Sequence, residues 1–241
     1  MVIVIRRGFV FLLLGMIILL IALSISHKNI PAVSYNHENI RTIIIDPGHG
    51  SPDGGAVGQN SIESDLNISI SHKLKQELEE RGFNVIMTRN DENGLSKKKK
   101  TDMNMRLDIM KNTPSDMFVS IHMNKFNKEK YRGAQVFYSS NFIQSTLLAQ
   151  LIMDEIKKID PKNQSRDIKE AERSLFLMKN ATVPAVIVDC GFLSNPAEEK
   201  LLMEDKYQSR IASAICDGII KYYENITEFE DINLIKREAS S

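Results

Sequence analysis

Hydrophobic and polar positions in this chain switch between two periods. Ile40-Arg-Thr-Ile-Ile-Ile-Asp46 is a β-branched run of the kind buried on both faces of a sheet, and Pro47 and a cluster of glycines end it. Ile62, Leu66, Ile70, Leu74 and Leu78 then recur every four residues, which predicts a helix over 62–81 stopped by Gly82. The same reading places strands at 84–88, 117–122, 133–138, 174–178 and 185–189, and helices at 97–112, 143–159 and 207–223. Strands alternating with helices predict an α/β fold, a single domain with a twisted, mostly parallel sheet covered by helices on both faces. In such a sheet, chemistry gathers at the carboxyl ends of the strands.

The N-terminus reads differently. Gly8 to Ser26 carries no charge, and at about 1.5 Å per residue it spans roughly 28 Å, close to the ~30 Å of a bilayer core. Arg6 and Arg7 precede it, so the positive-inside rule sends everything after His27 across the membrane. The expectation is an N-terminal transmembrane helix or signal segment over 1–26, with cleavage near Ala22-Leu-Ser24 as the competing reading. Residues 27–39 then form a linker, 40–224 the one globular domain, and 225–241 a polar tail.

Composition narrows the function classes. The chain of 241 residues has 31 basic and 31 acidic residues, a net charge of zero that argues against nucleic acid as a partner. Without Arg6 and Arg7 the exported part holds two more acidic than basic residues, too weak a field for long-range steering. Cys190 and Cys216 form no Cys-x-x-Cys spacing and read as buried free thiols. His27 and His37 read as solvated, and His72 as a helix-surface residue.

The unusual residues stand at predicted strand ends. The loop Asp46-Pro-Gly-His-Gly-Ser-Pro-Asp-Gly-Gly-Ala-Val-Gly58 lacks the Gly-Lys-Ser/Thr of a phosphate loop, and His49 and two prolines suit a dinucleotide fingerprint poorly. His49, Glu63 at the next helix start and His122 at a later strand end offer the two imidazoles and one carboxylate of a hydrolytic zinc site. On the residues alone the bland alternative stays open: strand-end histidines are often structural, and Glu63 suits a helix N-terminus. Asp46 reads either as a support for one ligand or as a cap on its own loop.

Several segments together carry a resemblance: residues 45–58, Glu63 with Asn67, Met87-Thr-Arg-Asn-Asp91, Val119-Ser-Ile-His-Met-Asn124, Gly133-Ala-Gln-Val-Phe-Tyr138 and Gly191-Phe-Leu-Ser-Asn195. They resemble the zinc-dependent N-acetylmuramoyl-L-alanine amidases of the type 3 family, in particular its germination-specific branch, over residues 40 to 223. The resemblance implies one Zn²⁺ held by His49, Glu63 and His122. It implies as substrate the amide joining N-acetylmuramic acid to the L-alanine of the peptidoglycan stem peptide. It implies an exported enzyme of spore cortex, acting with a peptidoglycan deacetylase on the way to muramic δ-lactam. Asn67, Asn124, Arg166 and Lys169 are the substrate contacts it suggests, on stem peptide and glycan.

At one position the chain departs from the family pattern. Relatives carry glutamate as general base where this chain has Asp189, shorter by one methylene, about 1.5 Å of reach. Three readings stay open: a strand that sits closer, an activity dependent on a protein activator, or a degenerate amidase domain that binds wall without cutting it. Strand alternation turns Asp189 inward and Cys190 to the opposite face. Lys97 to Lys100 reads either as a solvated helix start or as a patch for teichoic acid, lipid headgroups or stem carboxylates.

Overall fold

The computed structural model describes residues 40–159 and 166–238. Six strands, β1 (Thr42–Pro47), β2 (Asn84–Met87), β3 (Met117–Asn124), β4 (Gln135–Tyr138), β5 (Lys169–Glu170) and β6 (Ala185–Phe192), form one sheet in the order β2-β1-β3-β6-β4-β5. All neighbours run parallel except β4 against β6. The chain leaves the carboxyl end of β3 and re-enters through residues 125–134 without a helical crossover, so β4 runs back in the opposite direction.

Helices cover both faces. The expected stripe of α1 (Glu63–Glu80) is buried at Leu66, Ile70, Leu74 and Leu78. It packs with α3 (Ile143–Ile159) and the terminal α6 (Asp205–Glu238) against Ile43, Ile45, Val119 and Val188. On the other face, α2 (Lys99–Asn112) and the single turn α4 (Phe176–Lys179) close over Ile44, Phe118, Ala185 and Ile187. A further helix, α5 (Pro196–Leu202), is capped by Asn195, whose side chain accepts from the Glu198 amide, with Pro196 in its first turn. Central strands buried on both faces explain the unbroken isoleucine run of β1, with Ile43 to Ile45 wholly inaccessible.

The structure corrects three expectations. Residues 174–178 do not form a strand. The edge of β4 is already taken by Lys169 and Glu170, and Leu177 and Met178 are both buried by turning helically under α2. The last helix runs on to Glu238 rather than ending near 223, because no glycine or proline follows Gly218. Finally, no helix among the described residues is long and apolar enough to cross a membrane. The expected fold class, which included a membrane-spanning helix, is therefore corrected to an α/β domain with a six-stranded sheet. The segments 1–26 and 27–39 lie outside the described residues.

Cys190 and Cys216 are both buried free thiols.

Candidate metal centre

Register decides what meets at the carboxyl edge of the sheet. Asp46 of β1 lies beside Ser120 of β3, and His122 of β3 lies beside Asp189 of β6. With a side-chain period of two, Asp46, Ser120, His122 and Asp189 all fall on the α2/α4 face, and Cys190 falls on the other. The pairing shifts between His122 and Asn124, a bulge of the kind found where a strand re-aims side chains beside a site.

The loop after β1 brings His49 to the same place. His49 has a left-handed backbone (φ 61°), and its neighbours leave no room for larger residues. A Cβ on Gly48 would lie 2.3 Å from His122 Nε2, and one on Gly55 (φ +70°) would lie 2.5 Å from Glu63 Oε2. Gly48 and Gly55 are thus required by close approach to the imidazoles and the carboxylate.

His49, Glu63 and His122 converge with potential ligand atoms all within 4.8 Å of one another. His122 Nδ1 lies 2.9 Å from Glu63 Oε1, and His49 Nε2 lies 3.4 Å from Glu63 Oε2. A tetrahedral ion with ligand bonds of about 2.0–2.1 Å needs donors roughly 3.4 Å apart, so this set of two imidazoles and one carboxylate fits Zn²⁺. Glu63 is 3% exposed, and the amides of Ala56 and Met123 donate to its two oxygens at 2.7 and 3.1 Å. Burial alone would raise its pKa. The two imidazoles outweigh burial and hold the carboxyl far below the usual range. Burial likewise pushes His49 down, but Glu63 and Asp53 pull it above its ordinary value.

Asp189 stands half-buried within β6, three residues before its end, where Asn124 Nδ2 donates to its Oδ2 at 2.9 Å. Burial, helped by the Glu63 charge, pushes it up to about 6 against the opposing pull of His122, Asn124 and Arg166.

The other sequence-derived candidates take different places. Asn67 is wholly buried and donates to the Gly48 carbonyl at 3.0 Å, so it meets the loop and not an open surface. Arg166 lies over the Phe192 ring, 4.9 Å from its centroid, and donates to the Arg132 carbonyl at 3.0 Å. Lys169 stands exposed on edge strand β5. His72 is an exposed helix residue beside the Asn90 carbonyl.

Three residues that support the centre are absent from the sequence-based set. Asp53 places Oδ2 3.2 Å from His49 Nδ1, in contact but off the line of a straight hydrogen bond, and so leaves Nε2 toward Glu63. Asp46 touches neither imidazole; Thr88, Ser120 and Arg106 satisfy its carboxylate at 2.6, 2.7 and 2.6 Å. Arg106, 1% exposed, also bonds Asp102 and the carbonyls of Pro47 and His49. Arg89 takes the carbonyls of Pro47, Gly48 and Ser64 at 2.9, 3.0 and 2.9 Å. Two guanidiniums thus hold three successive carbonyls of the loop that presents His49. The sequence signal for Arg106 is a charged pair with Asp102 four residues apart on the face of α2 that also buries Leu107 and Met110.

A cavity of about 760 Å³ opens from this centre across the α2/α4 face. It is large enough for a small peptide.

The N-acetylmuramoyl-L-alanine amidase family model matches residues 43–221. The germination-specific N-acetylmuramoyl-L-alanine amidase of Bacillus subtilis is 36% identical over 191 residues, 76% of this chain and 80% of that protein. The CwlD amidase of Clostridioides difficile, solved in complex with the GerS lipoprotein, is similar at 38% identity with a TM-score of 0.72, over 76% of this chain and 98% of that one. A second amidase structure, from Clostridium difficile 630, matches at 30% identity and a TM-score of 0.69, over 77% of this chain and 98% of that one. With the match spanning the sheet and the elements that carry His49, Glu63 and His122, the chain belongs to the N-acetylmuramoyl-L-alanine amidase family.

Proposed function

We propose that this amidase uses one zinc ion, held by His49, Glu63 and His122, to release stem peptides from N-acetylmuramic acid in spore-cortex peptidoglycan. The observation that carries the reading is the convergence of those three side chains in a chain of this family. When bound, the ion supplies polarisation of the scissile carbonyl and a water acidic enough to ionise near neutrality.

The protein side of the reaction follows from the geometry. Glu63 is clamped by two backbone amides, so its carboxylate stays aligned between the imidazoles. Asp189, directly across from His122, is the group to accept the proton of the attacking water and return it to the nitrogen of the leaving L-alanine. Asn124 occupies Oδ2 and leaves Oδ1 to face the reacting atoms. The carbon–nitrogen bond breaks, hydroxyl joins the muramic acyl carbon, and a free amino group departs.

The germination-specific relative supports the cortex as the working place, which puts the domain on the exported side. Removing the stem there prepares muramic δ-lactam formation, a step that also requires a deacetylase. The lipoprotein complex of the Clostridioides difficile relative supports a protein partner for this chain as well.

The test is incubation of the protein, zinc-loaded and metal-stripped, with cortex and vegetative peptidoglycan, followed by mass analysis. Stem peptides with a free N-terminal alanine, released only by the loaded form, are the expected result. Muropeptides cleaved within the glycan, or folded zinc-loaded protein that releases nothing, would overturn the reading.

A further inference from the structure

The cavity continues well past the metal-binding trio, and its lining changes character along the way. Its inner wall is apolar, built from Met103, Phe137, Leu175, Phe176 and Ile187. Its rim is charged, with Lys97 just before α2, Lys99 at its first residue beside Asp53, and Glu172 on the segment leading to α4. Both lysines and Glu172 are exposed. Lys99 contacts Asp53 at 3.2 Å, and Lys97 has no ion-pair partner among the described residues. Asp102, the acid nearest in sequence, is occupied by Arg106 and by the amides of Leu95 and Ser96. Of the two rim lysines, Lys97 is therefore the one whose charge is not neutralised from within, while Lys99 is shared with Asp53.

A glycan strand is a continuous polymer and needs an open track on both sides of the reacting bond. A stem peptide is a branch that fits between α2 and α4. It also carries the complementary pattern: free carboxylates, small and aliphatic side chains, and the amino group of its diamino acid. On the amidase reading above, we propose that Lys97 and Lys99 bind the free carboxylates of the stem peptide beyond its L-alanine, with Glu172 facing the amino group of the diamino acid. The apolar wall takes the aliphatic parts between them. The cavity thus selects stems by charge state as well as by length, and amidated stems are the poorer substrates.

The decisive comparison uses soluble muropeptides with free stem carboxylates and the same muropeptides amidated. With zinc-loaded protein, the double variant Lys97→Gln/Lys99→Gln raises KM about five- to tenfold on the free acid, and the penalty falls below twofold on the amidated form. The penalty also shrinks with added salt, because the rim is exposed. Lys98→Gln/Lys100→Gln removes the same charge from positions that do not line the cavity, and it leaves KM unchanged. An equal penalty on both substrates, no penalty, or the same penalty from the control pair would overturn the proposal.

Calorimetric titration with the free tripeptide L-Ala-γ-D-Glu-diamino acid reads the subsite without catalysis. Binding five- to tenfold weaker in the Lys97/Lys99 variant is expected even if wild-type protein cleaves nothing, and equal affinity would overturn the subsite. Failure of the amidase reading and failure of the subsite are thereby distinguished.

Discussion

Replacing Arg106 by methionine tests how the loop of His49 is held. Arg106 and Asp46 are each 1% exposed and 2.6 Å apart, and the guanidinium also serves Asp102 and two loop carbonyls. Methionine fills most of the volume but takes away the guanidinium that bonds both carboxylates, leaving the more distant Arg89 charge. Breaking a buried pair from one side costs about 3–5 kcal/mol. For a domain of this size that corresponds to a Tm lower by roughly 6–20 °C. The pH dependence has a definite sign. Burial raises the Asp46 pKa, but Arg106, Thr88 and Ser120 more than offset it, so the carboxyl sits below its ordinary value in the folded protein. Its contribution to stability is complete above the unfolded pKa of about 3.9 and disappears as pH falls through the folded value. In Arg106→Met the Thr88 and Ser120 hydroxyls and the His122 charge still oppose burial without the guanidinium, so the Asp46 carboxyl takes up a proton more readily, and the Tm gap between wild type and variant is widest near neutrality and narrows as pH falls. Adding Asp46→Asn to the variant restores part of the loss, since the amide needs no cation. Thermal melts of metal-stripped protein from pH 3 to 7 provide the check. A gap under 2 °C at pH 7, or one that widens in acid, would refute the reasoning.

Three further outcomes follow from the same geometry. His49→Ala, Glu63→Gln and His122→Ala each reduce bound zinc to a small fraction of one equivalent after dialysis, read by elemental analysis, while circular dichroism shows the fold retained. Asp53→Asn weakens zinc affinity about 10- to 100-fold in a competitive chelator titration, because it removes the charge that faces His49 Nδ1; unchanged affinity would remove Asp53 from any supporting role. Asp189→Asn keeps zinc but lowers kcat by a factor of about 10² to 10⁴, whereas Asp189→Glu keeps or raises it; an active asparagine variant would sink the assignment of the base.

The residues that could hold a metal were legible in sequence because each stands at a point where periodicity changes, after β1, at the start of α1 and near the end of β3. Strand alternation also put Asp189 on the side of His122, and the parallel register of β3 and β6 makes the two direct neighbours. What holds those residues was not legible, for a physical reason. Arg89 and Arg106 act on backbone carbonyls of Pro47, Gly48 and His49, and a carbonyl leaves no mark in a sequence. Asp46 was the one aspartate of this loop read as a support for an imidazole, yet it is Asp53 that faces His49. Their roles separate only because the strand carries Asp46 down to Ser120 and Arg106, while the left-handed turn at His49 swings its Nδ1 back toward Asp53. The mistaken strand at 174–178 has a related origin. A short apolar run looks the same as strand or helix, and only the occupied edge of β4 forces it to turn. That turn carries Leu175 and Phe176 onto the cavity wall opposite Met103, so the element least readable from sequence helps to shape the space beside the most readable one. Catalytic chemistry in this chain is thus written in residue types at element ends, whereas selectivity depends on how two helices meet over the sheet.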